Sequence, residues 1–143
     1  MDLPGTDHGF HSTFRWIGDS RDFSPEAWAE SFRPAAIPLW EKECGGCVIH
    51  TGPDGAKQSL IMAYMDGLLC VTYDDVRSTW IYAPDGSLAS KFTVAADGST
   101  VPAGSGASLE KAGALVRAFL STPAKRPDGP WVDVESLEWP EDF

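Results

Sequence analysis

The run Lys57-Gln-Ser-Leu-Ile-Met-Ala-Tyr-Met65, then Asp66-Gly67, then Leu68-Leu-Cys-Val-Thr-Tyr-Asp74 decides the fold. Two apolar, aromatic-rich segments are separated by Asp-Gly alone. A type I′ turn needs φ > 0 at both central residues, which Asp followed by Gly tolerates, so the stretch reads as a β-hairpin. Over residues 60–65 both alternating sets are apolar, which predicts a central strand covered on both faces. Residues 76–83 and 88–94 follow as strand-like runs, and Asp-Gly recurs at Asp54-Gly55, Asp85-Gly86 and Asp97-Gly98. The expectation is an α+β fold. An antiparallel meander of about five to seven strands would be packed by one long C-terminal helix and a short N-terminal helix.

Upstream of the hairpin, Phe10, Ser12, Phe14 and Trp16 alternate with His11, Thr13 and Arg15, which suggests a short strand over 10–17. Ser24 as N-cap, Pro25 at N1 and Glu26 in the first turn start a short helix that runs through Trp28 to Phe32. Pro34 and Pro38 lack an N–H and crowd the preceding residue, so only a single-turn piece through Ile37, Leu39 and Trp40 should follow. Trp28, Phe32, Ile37 and Trp40 are expected to cover the sheet, and residues 47–51 to form another strand.

Downstream, the alternation of Leu88, Ser90, Phe92 and Val94 with Ala89, Lys91 and Thr93 predicts a strand with one face toward water. Residues 95–106 read as a Gly/Ser-rich loop. Ser108 caps the clearest helix, Leu109–Ser121. Leu109, Ala112, Leu115, Val116, Phe119 and Leu120 make one apolar stripe, with Glu110, Lys111, Gly113 and Arg117 assigned to the opposite side. Pro123 ends it, and residues 131–135 form a terminal strand. One domain is expected over 1–143, with a loose arm at 1–9 and an acidic tail at 136–143.

A chain of 143 residues can bury a core without metal or disulfide staples. Eleven Lys+Arg against 21 Asp+Glu give a net charge of −10. A field of that sign repels nucleic acid and anionic membrane and speeds encounter with a basic partner. The first residues lack a basic n-region and an apolar h-region, and no run reaches the roughly 20 apolar residues of a membrane helix. Three cysteines do not make a disulfide framework. A cytoplasmic protein, monomeric before it binds a partner, is expected.

Cys44-Gly-Gly-Cys47 has a spacing with a mechanism. In a thioredoxin-like site the motif opens a helix whose dipole lowers the first thiol's pKa, but here a strand-like run, Val48-Ile49-His50-Thr51, follows. Cys44, Cys47 and His50, with Cys70, could instead hold zinc. Cys47 and His50 lie three apart in a strand, which opposes that, and Cys70 in an apolar strand reads as a small core residue. His8, His11 and His50 pair with no nucleophile. No Gly-x-Ser-x-Gly, Walker-type loop or His-Glu-x-x-His is present. The reading is a non-enzyme without cofactor. The alternative is a small zinc- or thiol-dependent protein using Cys44, Cys47 and His50.

Aromatics interleave with acids at two places. Asp74-Asp75 ends the second hairpin strand, Trp80 and Tyr82 share a face of the next, and Asp85 follows at its turn. The C-terminal segment carries Glu135, Glu138, Trp139, Glu141 and Asp142, and from Asp128 to Phe143 there are six acids and no base. Aromatic anchors bury area while carboxylates steer and pair with Arg or Lys, the mix suited to a basic partner. The plain alternative is core aromatics with a solvated acidic rim.

The order of parts over residues 57–139 resembles a known family. A hairpin ends in Val71-Thr72-Tyr73-Asp74, a strand closes at an Asp-Gly turn, and a segment with Val101-Pro102 leads to an Ala-rich helix ending Val116-Arg-Ala-Phe-Leu120. A Pro-rich turn and a Trp-containing strand finish it. This is similar to the first-numbered family of bacterial Imm immunity proteins, antidotes of polymorphic toxins that include nucleic-acid deaminases. The resemblance implies an α+β fold and tight, non-catalytic binding of a cognate, basic toxin in the producer's cytoplasm. Asp74, Asp75, Trp80, Tyr82, Asp85, Glu135, Glu138 and Trp139 are the expected toxin-binding residues, with Glu141 and Asp142 adding steering.

Overall fold

Asp66 and Gly67 have φ of 56° and 85°, positive at both positions as a type I′ turn requires. The flanking runs pair from Ser59↔Asp74 to Met65↔Leu68. The computed structural model describes residues 11–12, 32–42, 46–50, 58–75, 77–86, 88, 91–95, 98, 100–122 and 125–137. In chain order these form β1 (His11–Ser12), a 3-10 turn (Pro34–Ala36) leading into helix α1 (Ile37–Lys42), and β2 (Gly46–His50). Next come β3 (Ser59–Met65), β4 (Leu68–Asp74), β5 (Thr79–Tyr82), β6 (Phe92–Val94), β7 (Thr100–Pro102) and β8 (Gly106–Ala107). Helix α2 (Leu109–Ser121), β9 (Trp131–Asp133) and a 3-10 turn (Val134–Ser136) complete the series.

The fold is α+β. The main sheet is antiparallel in the order β1-β2-β3-β4-β5-β9, and β6 and β7 form a separate ribbon. One edge of β4 is shared: β8 pairs with Leu69 and Cys70, and β5 pairs with Thr72 to Asp74.

Alternation along β3 and β4 sends Leu60, Met62, Tyr64, Leu69, Val71 and Tyr73 to one face, and Ala63 and Cys70 to the other. The first face receives the stripe of α2: Leu109, Ala112, Leu115, Val116 and Phe119 are all buried there with Phe32 and Trp40. Ser108 caps α2 by accepting a hydrogen bond from the Lys111 N–H at 3.1 Å. The second face is covered by Ala95 and Val101 from the ribbon, with Val134 and Leu137 from the C-terminal turn. Cover on both faces is what makes both sets of residues in β3 apolar.

Several expectations change. Gly113 does not face water. It is buried, and a Cβ there would lie 3.0 Å from Phe32 Cβ, so the glycine admits the Phe32 segment against the helix. Residues 95–106 are not simply loop: Thr100–Pro102 returns onto Phe92–Val94, a pairing too short to show as a period. The strand expected over 76–83 begins only at Thr79, because the Asp75 carboxylate captures the Arg77 and Ser78 amides in a turn. The terminal strand stops at Asp133, whose carboxylate accepts the Glu135 N–H and bends the chain. Of the strand expected over 88–94, Phe92–Val94 is paired. The arm at 1–9, the helix start at Ser24 and the tail beyond Leu137 lie outside the described residues. Among those described, no helix is long and apolar enough to cross a membrane.

Candidate functional site

Strand register distributes the expected contact residues over two surfaces. Tyr73 pairs with Trp80 and Trp80 with Asp133, while Asp74 pairs with Thr79. Asp74, Asp75, Trp80 and Glu135 therefore gather at the sheet end where β4 finishes, β5 starts and β9 finishes. Asp85 follows the other end of β5. At ~3.4 Å per residue the seven-residue β4 separates these ends by roughly 20 Å.

At the first end, Asp75 Oδ1 accepts from the Ser78 N–H at 2.9 Å and the Arg77 N–H at 3.1 Å. These bonds, the Ser78 amide above all, hold its carboxyl below the ordinary value despite some desolvation, so Asp75 is anionic at neutral pH. Thr79 Oγ1 donates to Asp74 Oδ2 at 3.3 Å. Asp133, which sequence reasoning did not select, joins the group and accepts from the Glu135 N–H at 2.9 Å. Its signal was only that of a strand residue. Glu135 is exposed.

Trp80 is half-buried at this sheet end, packed against the helix-side core on the face opposite Asp74. Its indole Nε1–H donates to Ser78 Oγ at 3.1 Å, and the Arg126 guanidinium carbon lies 4.2 Å over the ring centroid. Buried Tyr73, its neighbour across the ladder, has its hydroxyl pKa raised, first by burial and then by the Asp75 charge, with the Arg126 charge opposing. Asp75 and Arg126 thus act on the same phenol from this sheet end.

Tyr82 is a correction. It is only 5% exposed and packs edge-on to Trp131 at 5.3 Å within the helix-side core, so it supports the sheet rather than offering a surface anchor. Trp131 is fixed in turn by its Nε1–H bond to the Pro127 carbonyl at 2.7 Å. Glu138, Trp139, Glu141, Asp142 and Cys44 lie outside the described residues. Cys47 stands in register with Met62 and His50 with Ser59, positions on opposite faces of β3, and Cys70 is buried opposite Ala63.

At the second end, a cleft of about 760 Å³ opens between the β3–β4 turn, the β5–β6 connection and the ribbon. Asp85 lines it together with Asp66, which the sequence marked only as a turn residue. Leu68 and Val94 line it too. They are 41% and 65% exposed, and are the large hydrophobics left exposed among the described residues. Nothing in their alternation distinguishes them from core positions. No family model matches this chain, and no curated protein or solved structure matches it.

Proposed function

We propose that this protein is a toxin-neutralising binding protein of the immunity type. It would bind a basic cognate toxin that acts on nucleic acid and cover its active site or groove, without catalysis or cofactor, in the cytoplasm of the producing cell. The reading rests on one observation, the Trp80–Arg126 stack at the sheet end that also holds Asp74, Asp75, Asp133 and Glu135, with Asp133 directly beside Trp80 in the ladder. This surface already carries one guanidinium of its own chain on an oriented indole. A partner's arginine or lysine would meet the same combination of ring face and carboxylates. The net charge of −10 supports the reading by drawing a basic domain toward the surface. The sequence features over residues 57–139 that resemble the immunity family point the same way.

The test is co-expression with the protein encoded immediately upstream, which should be toxic alone and harmless with this chain. Asp74→Lys with Glu135→Lys spares the turn-forming Asp75 and Asp133. Association of this pair with the toxin should slow at least about tenfold at low salt, and growth rescue should fail. A harmless upstream protein would end the immunity reading. Full rescue with unchanged association would remove the Trp80 surface from it.

A further inference from the structure

From the opposite end of the sheet, we infer that the cleft between Asp66, Leu68, Asp85 and Val94 is a docking site for an arginine side chain flanked by aliphatic residues on a basic protein partner. Three features of the cleft lead there. Its volume, about 760 Å³, is that of a pocket able to enclose a side chain with its neighbours. Its apolar wall is Leu68 and Val94, and the convergence at one cleft of the large hydrophobics left exposed among the described residues marks an interaction surface. Its ionisable lining is Asp66 and Asp85, with no Lys, Arg or His among the described lining residues.

The chemistry selects the occupant. An arginine buries its methylene stem along apolar surface and keeps its guanidinium at the rim, where planar carboxylates accept it. Leu68 and Val94 match the stem and the flanking side chains, and Asp66 and Asp85 match the head. A neutral ligand would leave the carboxylates unanswered, and an anionic one would be repelled by them and by the whole chain.

The cleft is also preformed. A Cβ at Gly106 would lie 2.8 Å from both Cβ and Cδ1 of Leu68, so the bare backbone of β8 lies directly against that side chain. The Asp66 backbone is set by its turn conformation at φ 56°. A wall packed against backbone and a tight turn beneath one carboxylate lower the ordering cost of binding. This site does not depend on the partner being a toxin, and it lies apart from Trp80.

The probe is a capped leucine–arginine–leucine tripeptide titrated into ¹⁵N-labelled protein, with the same peptide carrying citrulline as the neutral isostere. Saturable shifts are expected at the amides of Asp66, Gly67, Asp85, Gly86, Val94 and Gly104. Citrulline for arginine, or Asp66→Asn with Asp85→Asn, should each weaken binding about tenfold, since either change removes both guanidinium–carboxylate pairs at once. Asn tolerates positive φ, so the turn survives the exchange, and a Leu68→Ser variant independently removes the apolar wall and should weaken binding with both carboxylates intact. Equal binding of the citrulline peptide would make the cleft a plain apolar groove and overturn the proposal. Shifts that follow protein concentration without peptide would reassign it to self-association. Shifts confined to the Trp80 end, or none that saturate, would also refute it.

Discussion

Replacing Gly113 by alanine separates two descriptions of α2. If Gly113 were on the solvent side, as the apolar stripe alone suggests, alanine would gain roughly 0.8–1 kcal/mol of helix propensity. The structure instead buries the position, with Phe32 Cβ at 3.0 Å, Cγ at 3.2 Å and Cδ2 at 3.5 Å from an added methyl. The closest of these atoms is attached directly to the Phe32 backbone, and the ring is held against Trp40 at 5.9 Å between centroids. Neither can swing aside as the end of a flexible chain could. Overpacking of this kind costs about 1–3 kcal/mol, so after the propensity gain Gly113→Ala should lose about 1 kcal/mol net. Urea denaturation at neutral pH should show a lower midpoint with unchanged slope, and Tm should fall by about 3 °C.

Ala118, exposed on the same helix, supplies the control. Ala118→Gly should cost up to ~1 kcal/mol from propensity alone, so the two substitutions should both destabilise rather than mirror each other. In a Phe32→Ala background the Cγ and Cδ2 contacts are gone while the Cβ contact stays, so the cost of Gly113→Ala should shrink by at least about 0.5 kcal/mol without vanishing. A Gly113→Ala protein stabilised by ~1 kcal/mol, with no coupling to Phe32, would refute the packing argument.

Two further outcomes follow from the same geometry. Asp75 has its folded pKa depressed below 3.8, so its contribution is present above that value and is lost as pH falls through the folded pKa. Asp75→Asn should therefore lower stability at neutral pH, and the difference from the parent should vanish in strong acid. A difference that persists there would mean the effect is not one of charge. Arg126→Ala removes the cation over Trp80 and should cost about 0.5–1 kcal/mol in chemical denaturation. A loss well beyond ~2 kcal/mol would show that the Arg126 stem, not its charge, holds the C-terminal turn in place.

Much of the architecture was legible because it is enforced by neighbours in the chain. The Asp66-Gly67 turn depends on backbone sterics at two residues, and the observed φ values are the ones those residues permit. The start of α2 is marked by one hydroxyl at Ser108 reaching one amide, and its core stripe by a 3.6-residue period. The short segments were harder. β7 and β8 hold three and two residues, too few for a period to register, and they exist because other strands lie beside them. The sequence also marked the acids and rings of the candidate site but grouped them by position along the chain.

The sequence by itself determined an α+β chain with a central hairpin, a capped amphipathic helix and an excess of negative charge, all features of local sterics, periodicity and composition. Only the tertiary structure decided that Tyr82 is core while Trp80 reaches the surface, that Asp133 joins Asp74 and Asp75, that Asp85 belongs with Asp66 around another opening, and that Gly113 is buried. Alternation assigns a residue to a face of the sheet. Whether that face meets helix, ribbon or water depends on packing between segments distant in sequence, and no local pattern carries that information.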